Sequence, residues 1–497
     1  MVSPGKLVFD LPKILSDNLP SLHNILFLYL IDELENLKEE QQKYIQTLTR
    51  ETKPPCSIKT GSRLYGILTM ETLSGEENKQ GAEYQKLFVD SFFREKTKKG
   101  YNQFISDLCL KRLENSQIYA DLNSDSSNSQ KFLSGYFEHN SIGKFGKNAT
   151  QFIQEKNSAD REYFRKLREK LLEGKKAGVT RGINSDNDID KIIENLSVPE
   201  YPLLEKVNIH VFYQDGFDNK KSLLEISKII STHCKEYISG SSDNSDYSQK
   251  YAHWHRDLLA QLYKEHKKRI NYSGLKTLID MSDGIPRNLL MILKFIYEWA
   301  VFHDEKPFEE GARISIKSQI KGVKEASEWF FEDARPSRGK GKIVRDSINR
   351  LGQFFKEFRY SDKPSEVSLN SFSVDLSQCS EQTQKTIELA EKWSLLVSVS
   401  GGQKYKNEKK VTAKYQLNKM LSPRWDLSIA RRGTIPLTPE MVNSVFDPEY
   451  AKHFKENLNK KISRLTAPFF GKNRDKDEQS LKYSHKEDQL LFPGFQS

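Results

Sequence analysis

Asp32 and Glu33 stand directly after the apolar run Ile25-Leu26-Phe27-Leu28-Tyr29-Leu30-Ile31. Such a run, without polar alternation, predicts a strand buried on both faces, as inside a parallel sheet. That strand would deliver its carboxylates to the C-terminal edge of the sheet, where open α/β sheets bind ligands. Paired carboxylates there suit a metal–phosphate complex: Asp32 would position Mg²⁺, and Glu33 would polarise water for attack on a phosphoryl group. The phosphate side of such a site needs a glycine nest, a lysine and a hydroxyl. Ser3-Pro4-Gly5-Lys6-Leu7 has no spaced upstream glycine and no Ser or Thr after the lysine. Gly143-Lys144-Phe145-Gly146-Lys147-Asn148 has misplaced glycines, and Asn148 stands where a hydroxyl belongs. Neither supplies the phosphate cradle.

A second candidate lies at Ser282-Asp283-Gly284-Ile285-Pro286-Arg287-Asn288. Glycine and proline fix a turn, and Arg287 falls near the start of an amphipathic helix, where a guanidinium can meet an anion beside the electropositive helix end. A third is basic. Lys404, Lys406, Lys409, Lys410 and Lys414 cluster around a glycine-containing loop with Tyr405 interleaved. Lysines in that setting suit phosphate contacts that position a protein on duplex DNA without reading bases. His253 and His255 are two apart on a predicted helix and point in different directions, so they make no metal site. No Ser-His-Asp or Cys-His arrangement supports a hydrolase.

The elements that must position these groups alternate at first. Leu34 to Glu51 carries apolar residues at helical spacing, Pro54-Pro55 ends it, and Cys56 to Gly61 predicts a short strand. Strand–helix–strand is the rhythm of a parallel α/β sheet. Ala82 to Leu113 predicts helix, and Glu114 to Pro199 reads as an elaboration on that core. Val207 to Tyr213 alternates as a strand returning to the sheet. Leu223 to Ala300 is mostly helical, and Gly339-Lys340-Gly341-Lys342 reads as a linker. Beyond it, helices at Ile343–Tyr360 and Glu381–Trp393 and strands at Glu366–Leu376, Leu395–Val399 and Val411–Leu417 suggest a winged helix. At 497 residues the chain can hold about two to four domains. The net charge of +10 favours an anionic partner. Four scattered cysteines form no CxxC pair, and the absence of a signal peptide adds to the expectation of a reducing cytoplasm. No apolar run approaches the roughly 20 residues of a membrane helix.

Together these features resemble the AAA+ ATPases of the origin-recognition and replication-initiator clade. Phe27-Leu28-Tyr29-Leu30-Ile31-Asp32-Glu33 is similar to their Walker B, and Gly284-Ile285-Pro286-Arg287 to their sensor 2. Asp32-Glu33-Leu34-Glu35-Asn36-Leu37, Gln41-Gln42 and Gly61-Ser62-Arg63-Leu64-Tyr65-Gly66 resemble the bacterial branch. The resemblance implies an α/β fold: an incomplete AAA+ parallel-sheet core with a helical lid, followed by an α+β winged-helix domain. Its implied boundaries are 1–215 for the core with an insertion at about 114–200, 216–338 for the lid, 339–446 for the winged helix and 447–497 for a charged tail.

The resemblance also implies roles. Glu33 would be catalytic, Thr60 or Ser62 would be sensor 1, Arg287 would read the nucleotide from the lid, and Arg63 or Arg94 would be an arginine finger. ATP and Mg²⁺ are the implied cofactors, with Asp32 holding the metal only in a complete site. Duplex DNA, a homo-oligomer or a P-loop-bearing partner chain are the implied partners. The missing Walker A is the departure: a shortened member, a split gene or a true loss would each give it. The expected function is the C-terminal portion of an initiator-type ATPase, inactive alone. The alternative is a non-catalytic DNA- or protein-binding module with a remnant ATPase core.

Overall fold

The computed structural model describes residues 5–115, 129–155, 157–218, 221–241, 245–309, 311–333, 340–399, 412–430, 433–463 and 465. Helix α1 (Gly5–Asn18) leads to strand β1 (Phe27–Ile31), helix α2 (Glu39–Arg50) and strand β2 (Cys56–Thr60). The two strands pair in parallel, Phe27 opposite Cys56 and Ile31 opposite Thr60. One face of the pair is covered. Phe9 of α1, Leu48 of α2 and Cys56 form a small core, against which Phe27, Tyr29 and Ile58 pack. The other face is open, with Leu28 and Leu30 exposed, Leu30 to 73%. The expectation of a strand buried on both faces is therefore corrected: side chains alternate across a strand, and only one side of this sheet carries helices.

The middle of the chain is helical. A turn of helix α3 (Val89–Ser91) and a π-helical turn (Phe92–Lys96) lead into α4 (Lys98–Asn115), α5 (Ser129–Ser134), α6 (Glu162–Lys176) and α7 (Asp186–Leu196). Then follow α8 (Pro202–Asp218), α9 (Leu223–Ser239), α10 (Ser245–Glu265), α11 (Leu275–Ser282), α12 (Pro286–Phe302) and α13 (Ile316–Asp333). Helices α6 to α10 share one core, around Phe164, Leu167, Leu204, Phe212 and Ile230. Helices α4, α5 and α11 to α13 share another, around Ile105, Leu133, Leu278, Ile292 and Ile296. The packing thus runs across residue 215, and residues 157–199 supply core side chains such as Phe164 and Ile192, both fully buried. The helix expected from Ala82 begins only at Val89.

The segment Val207–Tyr213, expected as a strand, lies inside α8. The alternation that suggested a strand is real, but its polar residues are not on a water-facing side. Asn208 is buried and donates from Nδ2 to the Leu196 carbonyl at 3.0 Å. Lys206 pairs with Glu265 at 2.6 Å. Glu205, also fully buried, accepts from Tyr163 Oη at 2.6 Å and pairs with Arg161. A helix buried on all sides shows no clean 3.6-residue period.

The last part comprises α14 (Lys340–Arg359), β3 (Ser371–Val374), α15 (Glu381–Lys392), β4 (Leu396–Ser398), β5 (Ala413–Leu417), β6 (Thr434–Pro436), α16 (Pro439–Phe446) and α17 (Phe454–Ile462). The sheet order is β4-β5-β3-β6, with β5 antiparallel to both β3 and β4, and β6 parallel to β3. Phe354, Phe355, Phe372 and Phe446 fill its core. Gly341 and Lys342, expected in a linker, belong to the first turn of α14. The apolar stripe Val344–Ile348–Leu351–Phe355 anchors that helix, and Gly341 sits near its end, where a glycine costs least. The molecule is mostly helical with two small sheets among the described residues, and no described helix is long and apolar enough to cross a membrane.

Candidate functional site

The parallel register brings Asp32, one residue past β1, beside Gly61, one residue past β2. Gly61 N donates to the Ile31 carbonyl at 2.7 Å, and Leu34 N donates to the Gly61 carbonyl at 3.0 Å. A Cβ on Gly61 would lie 2.7 Å from Asp32 Oδ1, so only glycine lets the carboxylate lie against β2. Asp32 Oδ1 accepts from Glu33 N at 2.8 Å. Glu33 has left-handed backbone angles, φ 55° and ψ 45°, and its Oε2 accepts from Asn36 Nδ2 at 2.8 Å. Both carboxylates are exposed, as are Thr60 and Ser62 on either side of Gly61.

Gln42 positions this strand end, a role that sequence reasoning did not assign to it. Fully buried on α2, it donates from Nε2 to the carbonyls of Leu34 at 2.9 Å and Gly66 at 3.0 Å. Its Oε1 accepts from Leu68 N at 2.7 Å. One side chain thus ties the loop after β1 to the loop after β2. The available signal was a polar residue on the apolar side of α2, which a buried hydrogen-bond hub explains.

The loop after β2 reaches the C-terminal part. Arg63 pairs with Glu35 at 3.4 Å, and its guanidinium lies 5.3 Å from the centroid of the Trp393 ring. Tyr65 Oη donates to Glu391 Oε2 at 2.9 Å. Glu391, near the end of α15, is only 5% exposed, and burial raises its pKa. Burial, reinforced by Glu391, likewise pushes the Tyr65 phenol well above its ordinary value.

Arg287 stands in the first turn of α12, behind Pro286 at the helix start. Its side chain is 64% exposed and pairs with Asp333 at 3.6 Å, with the guanidinium 5.5 Å from the Trp329 ring centroid. These contacts hold it against α13. Arg94 is buried instead, its side chain 6% exposed, against the same turn. It donates to the Asp283 carbonyl and to Asp90, each at 3.4 Å. The structure therefore joins Arg94 to the Asp283–Gly284 turn within the chain. Lys404, Lys406, Lys409 and Lys410 lie outside the described residues.

Gly284 has φ +81°, and a Cβ there would lie 2.9 Å from the Asp90 carbonyl and 3.2 Å from Arg94 N. Gly240 has a similar φ of +78° with nothing within 4 Å. Gly284→Ala is expected to lose roughly 1–3 kcal/mol more than Gly240→Ala. Denaturant titration of both variants measures this, and equal losses would remove the packing role of Gly284.

For Mg²⁺ and ATP, the residues present meet half the requirement. Asp32 is an exposed hard-oxygen ligand at a strand end, which Mg²⁺ accepts. Opposite it stand Thr60, Gly61 and Ser62 on an extended strand end. That is not the nest of N–H groups with a lysine that a triphosphate needs. The site does not fit the cofactor as it stands.

The ORC-CDC6-like family profile matches residues 1–437, and the chain belongs to that family. It is an initiator-type AAA+ family, one that in general uses nucleotide and Mg²⁺. No curated protein and no solved structure matches the chain.

Proposed function

We propose that this chain is an initiator-type AAA+ component of the bacterial branch, inactive as an ATPase alone, that holds duplex DNA through a winged helix at residues 339–446. In this reading Asp32 and Glu33 are the catalytic half of a nucleotide site that needs a phosphate-binding loop which these residues do not supply, such as one on a P-loop-bearing partner. One observation carries it: the acidic strand end adjoins a bare apolar surface. Leu28 and Leu30 are exposed on β1, and Leu7, Leu11 and Ile14 are exposed on α1, Leu7 to 81%. Exposed apolar side chains beside a half-built site are what an unfilled contact leaves open. The C-terminal sheet supports the DNA reading. Strands β4 and β5 pair Leu396 with Leu417 as two arms of a wing, and the lysine-rich residues 404–410 join them.

The test is a titration of the purified chain with fluorescent ATP and Mg²⁺, alongside a hydrolysis assay and a DNA salt series. Hydrolysis should stay at background, and Glu33→Gln should change nothing. Duplex binding should weaken steeply with salt, log K falling by about 0.9 per phosphate contacted per log unit of salt, without sequence preference. Lys404→Glu with Lys406→Glu should flatten that slope. A Glu33-dependent rate, tight Arg287-dependent nucleotide binding or salt-insensitive DNA binding would overturn the reading.

A further inference from the structure

A cleft of about 710 Å³ opens between the π-helical turn and start of α4, the helix α11, and the segment of the C-terminal part around Lys419 and Ile429. It lies beside the Asp283–Gly284 turn but does not include Arg287, Asp32 or Glu33. Five of its lining side chains are cationic and two are carboxylates, leaving an excess of three positive charges. Both carboxylates face a lysine: Asp280 pairs with Lys98 at 2.8 Å, and Asp283 lies 3.1 Å from Lys419, although neither Asp283 oxygen has a hydrogen-bond partner among the described residues. Arg256 and Lys276 are exposed and have no ion-pair partner among the described residues.

Arg94 lies among the cleft's lining residues. Its side chain is nine-tenths buried, its two hydrogen bonds are long, and its Nε has no partner among the described residues. A buried N–H without an acceptor is destabilising, more so when it belongs to a charged group. That cost is relieved when an anionic oxygen enters. Phe93, Ile279 and Ile429 add apolar lining, one from each bounding segment, so the cleft can also take an apolar body beside its cations. Clefts of this size between packed parts of a protein are common seats for small ligands.

We propose that this cleft binds a small phosphate ester of nucleotide size, with Arg94, Arg256 and Lys276 receiving the phosphates. This site is separate from the nucleotide site of the strand end, and it does not depend on a P-loop. A phosphate-only ligand and a nucleotide share the recognising chemistry; the apolar lining favours the nucleotide. A duplex backbone is the lesser fit, because it would meet the rim cations from outside and leave Arg94 Nε unmet.

The experiment is isothermal titration of the full chain at low ionic strength, without Mg²⁺, using inorganic pyrophosphate and ADP as probes. Saturable one-site binding is expected. Lys276→Ala and Arg256→Ala, both at exposed positions, should each weaken it roughly tenfold, with unfolding midpoints unchanged. Arg287→Ala should leave it unaltered, which separates this site from the sensor-2 reading. Tighter ADP binding identifies a nucleotide, and equal binding a phosphate ligand; either upholds the cleft. No saturable binding at millimolar probe would overturn it, as would binding indifferent to the Arg256→Ala/Lys276→Ala double variant. Loss of duplex DNA binding in that double variant, without any pyrophosphate binding in the wild type, would give the cleft to DNA and also overturn it.

Discussion

Asp257→Ala should destabilise the protein by about 3–5 kcal/mol. The Asp257 side chain is 2% exposed on α10 and the Arg359 side chain 5% exposed on α14, with Nε 2.8 Å from Oδ1. The second oxygen of Asp257 accepts from Ser368 N at 2.6 Å, and Arg359 also donates to the Asp426 carbonyl. Burial works against the Arg359 cation, but the Asp257 charge and hydrogen bond, together with the Tyr360 and Tyr272 phenols, outweigh it, and the guanidinium pKa is raised. Removing the carboxylate leaves a buried cation uncompensated and a backbone N–H without its acceptor. Denaturant unfolding followed by tryptophan fluorescence measures the loss. Arg359→Met in the Asp257→Ala background should recover part of it, since no bare charge then remains. A loss below about 1 kcal/mol, or a double variant worse than the sum of the singles, would show that the pair does not brace these helices.

Acid should weaken the fold through His210. The ring is 1% exposed on α8, neither nitrogen has a hydrogen-bond partner among the described residues, and its centroid lies 4.3 Å from that of Trp254. Burial, reinforced by Lys363, Lys206, Lys250 and His253, depresses its pKa to about 3. Above the ordinary imidazole pKa of about 6.5, folded and unfolded states are both neutral and the group contributes no pH dependence. As pH falls below that value, only the unfolded state takes the proton. Stability is then lost by up to about 1.4 kcal/mol per pH unit until about pH 3, where the folded state protonates too. His210→Met removes this linkage and the unmet nitrogens. The difference in stability between variant and wild type should therefore widen in the variant's favour from pH 7 to pH 4.5. Parallel pH profiles would rule this out.

The N-terminal strand–helix–strand unit was legible because its signals are local. An apolar run, a helical stripe and a double proline mark β1, α2 and β2 to within a few residues. The same holds for α12, which starts at Pro286, and for the β4–β5 pair. Burial was less legible, because it depends on which neighbours are present: the run at Ile25–Ile31 looks the same with one covered face or two. Helix α8 failed for the opposite reason. Glu205, Lys206 and Asn208 look solvent-facing in sequence, yet each has an interior partner more than ten residues away or in another helix. The candidate site divides in the same way. Asp32, Glu33 and Arg287 are legible as motif residues, whereas Gln42 acts only through carbonyls that folding brings to it. Arg94 is legible only as a candidate arginine finger beside Arg63, whereas its placement against Asp283 depends on a contact spanning 189 positions.

Tyr65 and Arg63 bear on how this protein can be dissected. A fragment beginning at residue 339 would carry Glu391 without the phenol that bonds it and Trp393 without its guanidinium cover. It would also uncover Val367, which packs with the α6–α10 core, and Met420, which packs with the α11–α13 core. DNA titrations on such a fragment would measure a surface that the intact chain does not present, and its solubility would be set by side chains normally hidden. Binding to nucleic acid is therefore best measured on the whole chain, with charge changes rather than truncations as the variable.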